Sequence, residues 1–258
     1  MKAPLDSNFE TTVDLKLSTQ WLGKNLLFYR CLDSTNNFTL KLARKKAPHG
    51  TVVWAREQTA GRGRGNKTWY SPPGTGLYFS ILLYPPVPLF TWPLLSLVTG
   101  VAAAKALENK TGEAMGLKWP NDIWGHGHKL GGILTESQGQ AVVIGIGLNI
   151  NHDFFPPEFC QATSLFLLTQ KHFVLEEVLA DLLLHLERAY DAFFQGDKSF
   201  LSEWRKRNIL KNKKVTIRTG DKITTGWVSD IDDQGALILE EAKGKTYAIV
   251  SGEVLKIE

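Results

Sequence analysis

The chain has 258 residues, 43% of them hydrophobic and 22% charged, the balance of a globular protein long enough to bury a sizeable core. Its net charge of +4 suits anionic small ligands or an acidic protein partner and falls short of an argument for nucleic acid. The two cysteines, Cys31 and Cys160, lie far apart, which argues against a disulfide framework or zinc site; with no apolar leader and no run of about 18 apolar residues, neither secretion nor a membrane span is expected, and the expected location is the cytoplasm.

Residues 1–20 are polar, weakly patterned, and read as a short arm. Ser34 stands where it would cap a helix over 35–46, serine being a favoured N-cap residue. The β-branched stretch 51–57 predicts a strand, and 76–84 a second one, stopped by Pro85, Pro86 and Pro88. The Ala/Leu-rich stretch 94–108 is apolar all round and predicts a buried helix. Stretches 130–136 and 141–150 predict a strand pair about the Gln138-Gly139-Gln140 turn. Leu175, Leu179, Leu182, Leu183, Leu186, Tyr190, Phe193 and Phe194 recur at helical spacing and form the core face of one long helix. Residues 204–214 are basic, and from Val215 five short strands alternate with turns, the pattern of a small β-barrel. The boundary falls near Asn212, giving domains 1–211 and 212–258. The first mixes strands and helices without βαβ alternation, so the fold class is α+β.

The segment between the first two strands alternates glycine with arginine: Gly61-Arg62-Gly63-Arg64-Gly65. Glycine lets backbone approach a ligand, and each guanidinium offers a donor fork suited to carboxylate or phosphate. Trp69, with Lys67 nearby, supplies a flat surface for a purine. A plain surface loop or an RGG-like nucleic-acid segment is the alternative; the position inside a domain, between strands, favours a functional loop. No GK[ST] follows, so this is not a Walker A motif. A second segment is Lys118-Trp119-Pro120-Asn121-Asp122, then Lys129-Leu130-Gly131-Gly132-Ile133-Leu134. A loop through Gly125 and Gly127 can return Lys129 towards Asp122, where a carboxylate could place Mg²⁺ and an ammonium could neutralise phosphate; a surface hairpin with an exposed ion pair is the alternative. In Gly145-Ile146-Gly147-Leu148-Asn149-Ile150-Asn151, glycines inside an apolar strand mark close approach of a ligand or another backbone, and Asn149 could give a polar contact.

Ser34-Thr35-Asn36, Gln58 with the Gly/Arg loop and Trp69, the 118–122 and 129–134 segments and Gly145-Ile146-Gly147-Leu148-Asn149 occur in the order and spacing of biotin protein ligases, and Ser251-Gly252-Glu253-Val254 resembles that family's C-terminal barrel. The chain resembles the family from about residue 28 to its end. The resemblance implies a catalytic domain like that of class II aminoacyl-tRNA synthetases, with a mixed or antiparallel sheet, followed by an SH3-like barrel. It implies formation of biotinyl-5′-AMP from biotin and ATP, with Mg²⁺, and transfer of biotin to a lysine of a carboxylase carrier domain, that of acetyl-CoA carboxylase or a relative. By similarity Ser34, Thr35, Asn36, Gln58, Arg62, Gly63, Arg64 and Lys129 hold biotin. Arg64, Lys129 and Asp122 are the catalytic candidates, Asp122 also the candidate Mg²⁺ ligand. Trp69, Lys67, Asn121 and Asn149 face ATP or the adenylate. Small polar groups suit a ureido ring, which offers one acceptor and two donors.

Asn66 and Lys67 depart from the family's glycine and arginine, which predicts altered loop ordering with the chemistry kept. Relatives also carry an arginine after the C-terminal Gly-Glu; here Lys256 is the nearest basic residue, one position off. About 30 residues precede Ser34, roughly half of a winged DNA-binding domain, so neither DNA binding nor repression is expected. A homodimer through sheet edges is an allowed assembly. His126 and His128 read as solvated loop residues, and the basic run 205–214 as a solvated face or helix end, with a dock for an acidic carrier as the alternative. The rival readings are a lipoate or octanoyl ligase, a non-catalytic biotin or nucleotide sensor, and a nucleic-acid binder.

Overall fold

The structure is a computed structural model that describes residues 9–10, 15–241 and 244–258; most of the predicted arm lies outside them. Strand β1 (Phe9–Glu10) pairs antiparallel with β2 (Leu26–Tyr29), which runs parallel to β3 (Thr51–Ala55). A parallel pair needs a crossover, and helix α1 (Thr35–Arg44) provides it. It stops short of the expected residue 46, where Lys46 turns left-handed at φ 56°. Strand β4 (Gly76–Leu83) lies antiparallel to β3. After α2 (Leu94–Thr111) come β5 (Met115–Lys118), β6 (Asp122–Gly125), β7 (His128–Gln138) and β8 (Ala141–Asn149), an antiparallel meander that returns β8 against β4. The resulting mixed sheet has eight strands in the order β1-β2-β3-β4-β8-β7-β6-β5.

Every residue of β3 and β4 is buried, because both faces of the sheet are covered. Alternate side chains divide between the faces. Ile81, Leu83, Val142 and Ile144 join the main core beneath α2 and the long helix, whereas Leu82 and Val143 pack with Ala43 of α1. Past α3 (Leu165–Thr169), the long helix α4 (Leu175–Phe194) coincides with the predicted stripe. Its one buried carboxylate, Glu187, accepts the backbone N–H groups of Gln20, Trp21 and Leu22 at 2.7 Å each and so fastens the chain's entry into β2. Glu187→Ala strands those donors, and a loss of about 3 kcal/mol is expected. Urea unfolding checks this, and a loss below about 1 kcal/mol would mean that water replaces the carboxylate.

After α5 (Ser199–Arg207), strands β9 (Lys214–Thr219), β10 (Lys222–Ile231), β11 (Leu237–Glu240), β12 (Thr246–Ile249) and β13 (Glu253–Ile257) make a five-stranded antiparallel sheet in the order β12-β11-β10-β9-β13. Its inner face, with Val215, Ile217 and Val228, joins the main core. The Trp119 indole donates to the Gly235 carbonyl at 3.0 Å across this junction. The basic run includes the end of α5, as one reading expected, and Lys206, Lys211 and Lys213 are exposed, but its two arginines are not free. Arg207 pairs with Glu108 at 2.6 Å and Glu203 at 3.0 Å, and Arg205 reaches Asp233 at 3.1 Å, so these cations tie α5 to α2 and to the second sheet.

Candidate active site

On the face that α1 covers, the sheet beyond the start of that helix carries several small residues: Ser80 on β4, Gly132 on β7, and Gly145 and Gly147 on β8. The side chains omitted there leave a cleft of about 980 Å³. The cleft gathers Ser34, Thr35, Asn36 and Gln58, the Gly/Arg loop with Trp69, the 118–122 turn, Lys129 and Asn149. Every residue singled out for biotin, ATP or catalysis therefore borders one space. The glycines are required: a Cβ on Gly145 would stand 2.0 Å from Asn36 Oδ1, and one on Gly147 would stand 2.4 Å from Trp69 Nε1.

At one end of the cleft the polar side chains are already bonded to one another. Ser34 is buried, and it stands at the helix N-cap without making a side-chain capping bond, contrary to expectation. Thr35 N–H donates to Gln58 Oε1 at 2.8 Å, and Gln58 Nε2 donates to Ser71 Oγ at 2.9 Å. Ser80 Oγ lies 2.7 Å from Thr35 Oγ1 and 2.6 Å from Asn36 Oδ1. Asn36 Nδ2 donates to Glu136 at 2.9 Å. The Arg62 guanidinium bonds Glu136 and Asn37.

The cations stand further along. Lys129 Nζ pairs with Asp122 at 2.7 Å, as the loop length had suggested, and lies 5.5 Å from the Trp69 ring centroid. Its backbone is fixed as well: N–H donates to Gln161 and the carbonyl accepts from Thr163. Arg64 donates to the Gly252 carbonyl at 3.1 Å; burial pushes its pKa down, opposed by Asp122 and Glu253. Lys118 lies over Trp124 at 4.9 Å, and burial lowers its pKa, with Lys129 and Lys67 adding to the fall and Asp122 opposing it. Crowded, partly dehydrated cations of this kind gain when an anion enters.

Other predicted residues are differently engaged. Asn121 Nδ2 donates to the Ile133 carbonyl at 2.6 Å, bracing the turn against β7, so its amide nitrogen serves the frame. Asn149 Nδ2 donates to Thr163 at 2.9 Å. Trp69 is half-buried against Gly132 and Gly147 and lines the cleft. Lys67 pairs with Glu253, which Arg218 also holds at 2.7 Å. These two cations hold the Glu253 carboxyl below its usual range. A carboxyl with a lowered pKa keeps its contact above the ordinary glutamate range and loses it as pH falls through the lowered value. His126 and His128 are exposed, and the described residues contain no cluster of three or more metal-type ligands.

Several lining residues had escaped sequence reasoning. Tyr70 stacks on Phe159 at 5.3 Å, and Phe155 stacks on His152 at 4.9 Å, giving the cleft an aromatic wall. His152 itself is buried, which drives its pKa down to about 4, and it contacts the Tyr78 hydroxyl at 3.3 Å. Arg218, Gly252 and Glu253 come from the second sheet. Only the Gly-Glu pair near the C terminus had pointed there.

Residues 28–151 match the family model of the biotin/lipoate A/B protein ligases, and residues 212–256 match that of the biotin protein ligase C-terminal domain. The bifunctional ligase/repressor BirA of Bacillus subtilis is 35% identical over 244 residues, covering 91% of this chain and 75% of its own. The biotin–[acetyl-CoA-carboxylase] ligase of Paracoccus denitrificans is 32% identical over 229 residues, covering 83% of this chain and 93% of its own. The chain belongs to the biotin protein ligase family. In three dimensions the ligase is similar to the Aquifex aeolicus biotin protein ligase solved with biotin and ATP, with a TM-score of 0.80 at 31% identity, covering 91% of this chain and 99% of that one.

The Lys67–Glu253–Arg218 contacts fasten the Gly/Arg loop to the second sheet. Glu253→Gln is expected to change stability by less than about 1 kcal/mol, as exposed ion pairs do. It should nevertheless speed tryptic cutting within 61–69 several-fold; unchanged cutting would show that the loop is held by other contacts.

Proposed function

We propose that the protein is an ATP-dependent biotin–protein ligase acting through an adenylate. The supporting observation is the convergence of Arg64, Lys118 and Lys129 on one cleft that is also lined by small polar side chains and aromatic rings. Biotin's ureido ring occupies the Ser34, Thr35, Asn36 and Gln58 end, against the backbone of Arg62 and Gly63. Its carboxylate extends towards Arg64 and Lys129. A carboxylate oxygen bonds to the ATP α-phosphorus as the bond to pyrophosphate breaks, and Arg64 and Lys129 stabilise the charge that develops there. A carrier lysine, as the neutral amine, then attacks the acyl carbon; the amide forms, AMP leaves and a proton is released.

Tyr70 and Phe159 suit the adenine, while Trp69 and Asn149 line the same side and Lys67 stands near the phosphates. Mg²⁺ has no protein cage among the described residues, and Asp122 is already paired with Lys129. The ion is read as the nucleotide's companion, with no step assigned to it. Asp122 instead holds Lys129 in position. The finer fold reading is a synthetase-like catalytic domain over 1–211 and an SH3-like barrel over 212–258. The proposed acceptor is the carrier domain of acetyl-CoA carboxylase or a related enzyme, following the Paracoccus relative's name. The repressor activity named for the Bacillus relative is not carried over.

Mass spectrometry of a carrier domain incubated with enzyme, biotin and ATP tests the second half-reaction. The expected product is one biotinyl group on one lysine. A carrier left unmodified while ATP and biotin are consumed would contradict the transfer step.

A further inference from the structure

We infer that Ser80 and Glu136 are positioning residues that fix the direction of the pocket's hydrogen bonds, so that Thr35 Oγ1 meets the ligand only as an acceptor. The inference rests on the biotin reading and deepens it, since it explains why a ring bearing N–H groups is selected.

Two groups with no hydrogen to give stand at one end of the chain. The Glu136 carboxylate, bonded by the two guanidinium nitrogens of Arg62 at 2.9 and 3.0 Å, lies 2.9 Å from the Asn36 amide, and the Leu134 carbonyl lies 3.2 Å from it. Both can only accept, so the end of Asn36 that faces them is Nδ2. Oδ1 must then face Ser80 Oγ, 2.6 Å away. An amide oxygen also only accepts, so the single hydroxyl hydrogen of Ser80, a residue with 0% exposure, goes to Asn36. Ser80 Oγ is also placed to donate to Thr35 Oγ1 at 2.7 Å, but with its one hydrogen used it is left to accept there.

The other side of Thr35 is fixed in the same sense. Ser71 Oγ donates to the Trp69 carbonyl at 3.0 Å, so it accepts from Gln58 Nε2 at 2.9 Å. Gln58 Oε1 then faces Thr35, where the backbone N–H at 2.8 Å requires an acceptor. Thr35 Oγ1 thus stands between two acceptors, Ser80 at 2.7 Å and Gln58 at 3.2 Å, and its one hydrogen is claimed by them. Towards the cleft it offers lone pairs. A ligand must bring a donor there; a ureido N–H does so, whereas a dithiolane ring or an alkyl chain leaves the acceptors unpaired.

The test uses the full chain and pyrophosphate release with biotin, with octanoate, and with biotin analogues in which ring oxygen replaces either ureido N–H. In the wild type at least one analogue should have a KM about 100-fold or more above that of biotin, consistent with loss of a required donor. Ser80→Ala and Glu136→Gln should each raise the biotin KM about five- to tenfold and leave the ATP KM within twofold, because they act on the pocket alone. The double variant should fall short of the product of the two single effects, because both residues act through Asn36, Glu136 also through Arg62. Thermal melts report folding, and Ser80→Ala, which deletes a single oxygen, keeps the test available if Glu136→Gln folds poorly. The inference is overturned if both analogues turn over like biotin, if Ser80→Ala leaves the biotin KM within twofold, or if the ATP KM rises equally. Absence of biotin-dependent release by the wild type would overturn the functional reading instead.

Discussion

Lys129→Ala is expected to slow adenylate formation by about 10²- to 10³-fold, the usual cost of removing one preorganised charge from a reacting phosphoryl centre. Biotin affinity should change by no more than a few-fold, since the ring end of the pocket is untouched. The expectation rests on how firmly this ammonium is aimed. Its backbone is hydrogen-bonded on both sides by Gln161 and Thr163, its Nζ is held 2.7 Å from Asp122, and Trp69 lies beneath it. Single-turnover pyrophosphate release gives the rate, and calorimetry gives biotin binding. A variant that bound biotin poorly but adenylated at the wild-type rate would mean that Lys129 belongs to recognition and that Arg64 carries the charge chemistry alone.

Gly147→Ala is expected to have the next largest effect, a loss of about tenfold or more in kcat/KM for ATP with about 1–3 kcal/mol of stability, the range for overpacking a rigid site. The added methyl would stand 2.4 Å from Trp69 Nε1 and 2.6 Å from Cε2. Neither a strand paired on both sides nor a large indole wedged against Gly132 can yield that distance cheaply. Trp69 must therefore move, and the loop moves with it. Gly145→Ala provides the contrast, because its methyl would collide with Asn36 at 2.0 Å and should raise the biotin KM instead. Steady-state kinetics varying each substrate separates the two. Equal effects of both variants on both substrates would mean general destabilisation of β8.

The fold was legible where a pattern is local. The stripe from Leu175 to Phe194, the buried run from Leu94 and the strand pair about Gly139 all declare themselves by periodicity and turn chemistry. The candidate site was legible in part for the same reason: glycines interleaved with arginines, and glycines within an apolar strand, are unusual over short stretches. What escaped were roles decided by distant partners. Arg205 and Arg207 read as a solvated run because Glu108 and Asp233 lie far off in sequence. Asn121 also braces the turn through the Ile133 carbonyl, a structural role that its sequence context does not show. Ser80 sits in a strand that otherwise reads GLYFSILL, where one hydroxyl carries no signal until Thr35 and Asn36 are folded against it. Lys67 and Glu253 meet across 186 residues, a contact that no local pattern encodes.

The Gly/Arg loop and Lys129 acquire their meaning from what shares the cleft with them, a pocket of hydrogen-bonding side chains and a group of aromatic rings. The most direct measurement is pyrophosphate release from ATP with biotin, lipoate or octanoate as the only carboxylic acid present. Release that depends on biotin and is at least about 100-fold slower with the other two acids is the predicted result. Equal rates with all three acids, or release without any acid, would contradict the assignment of the pocket.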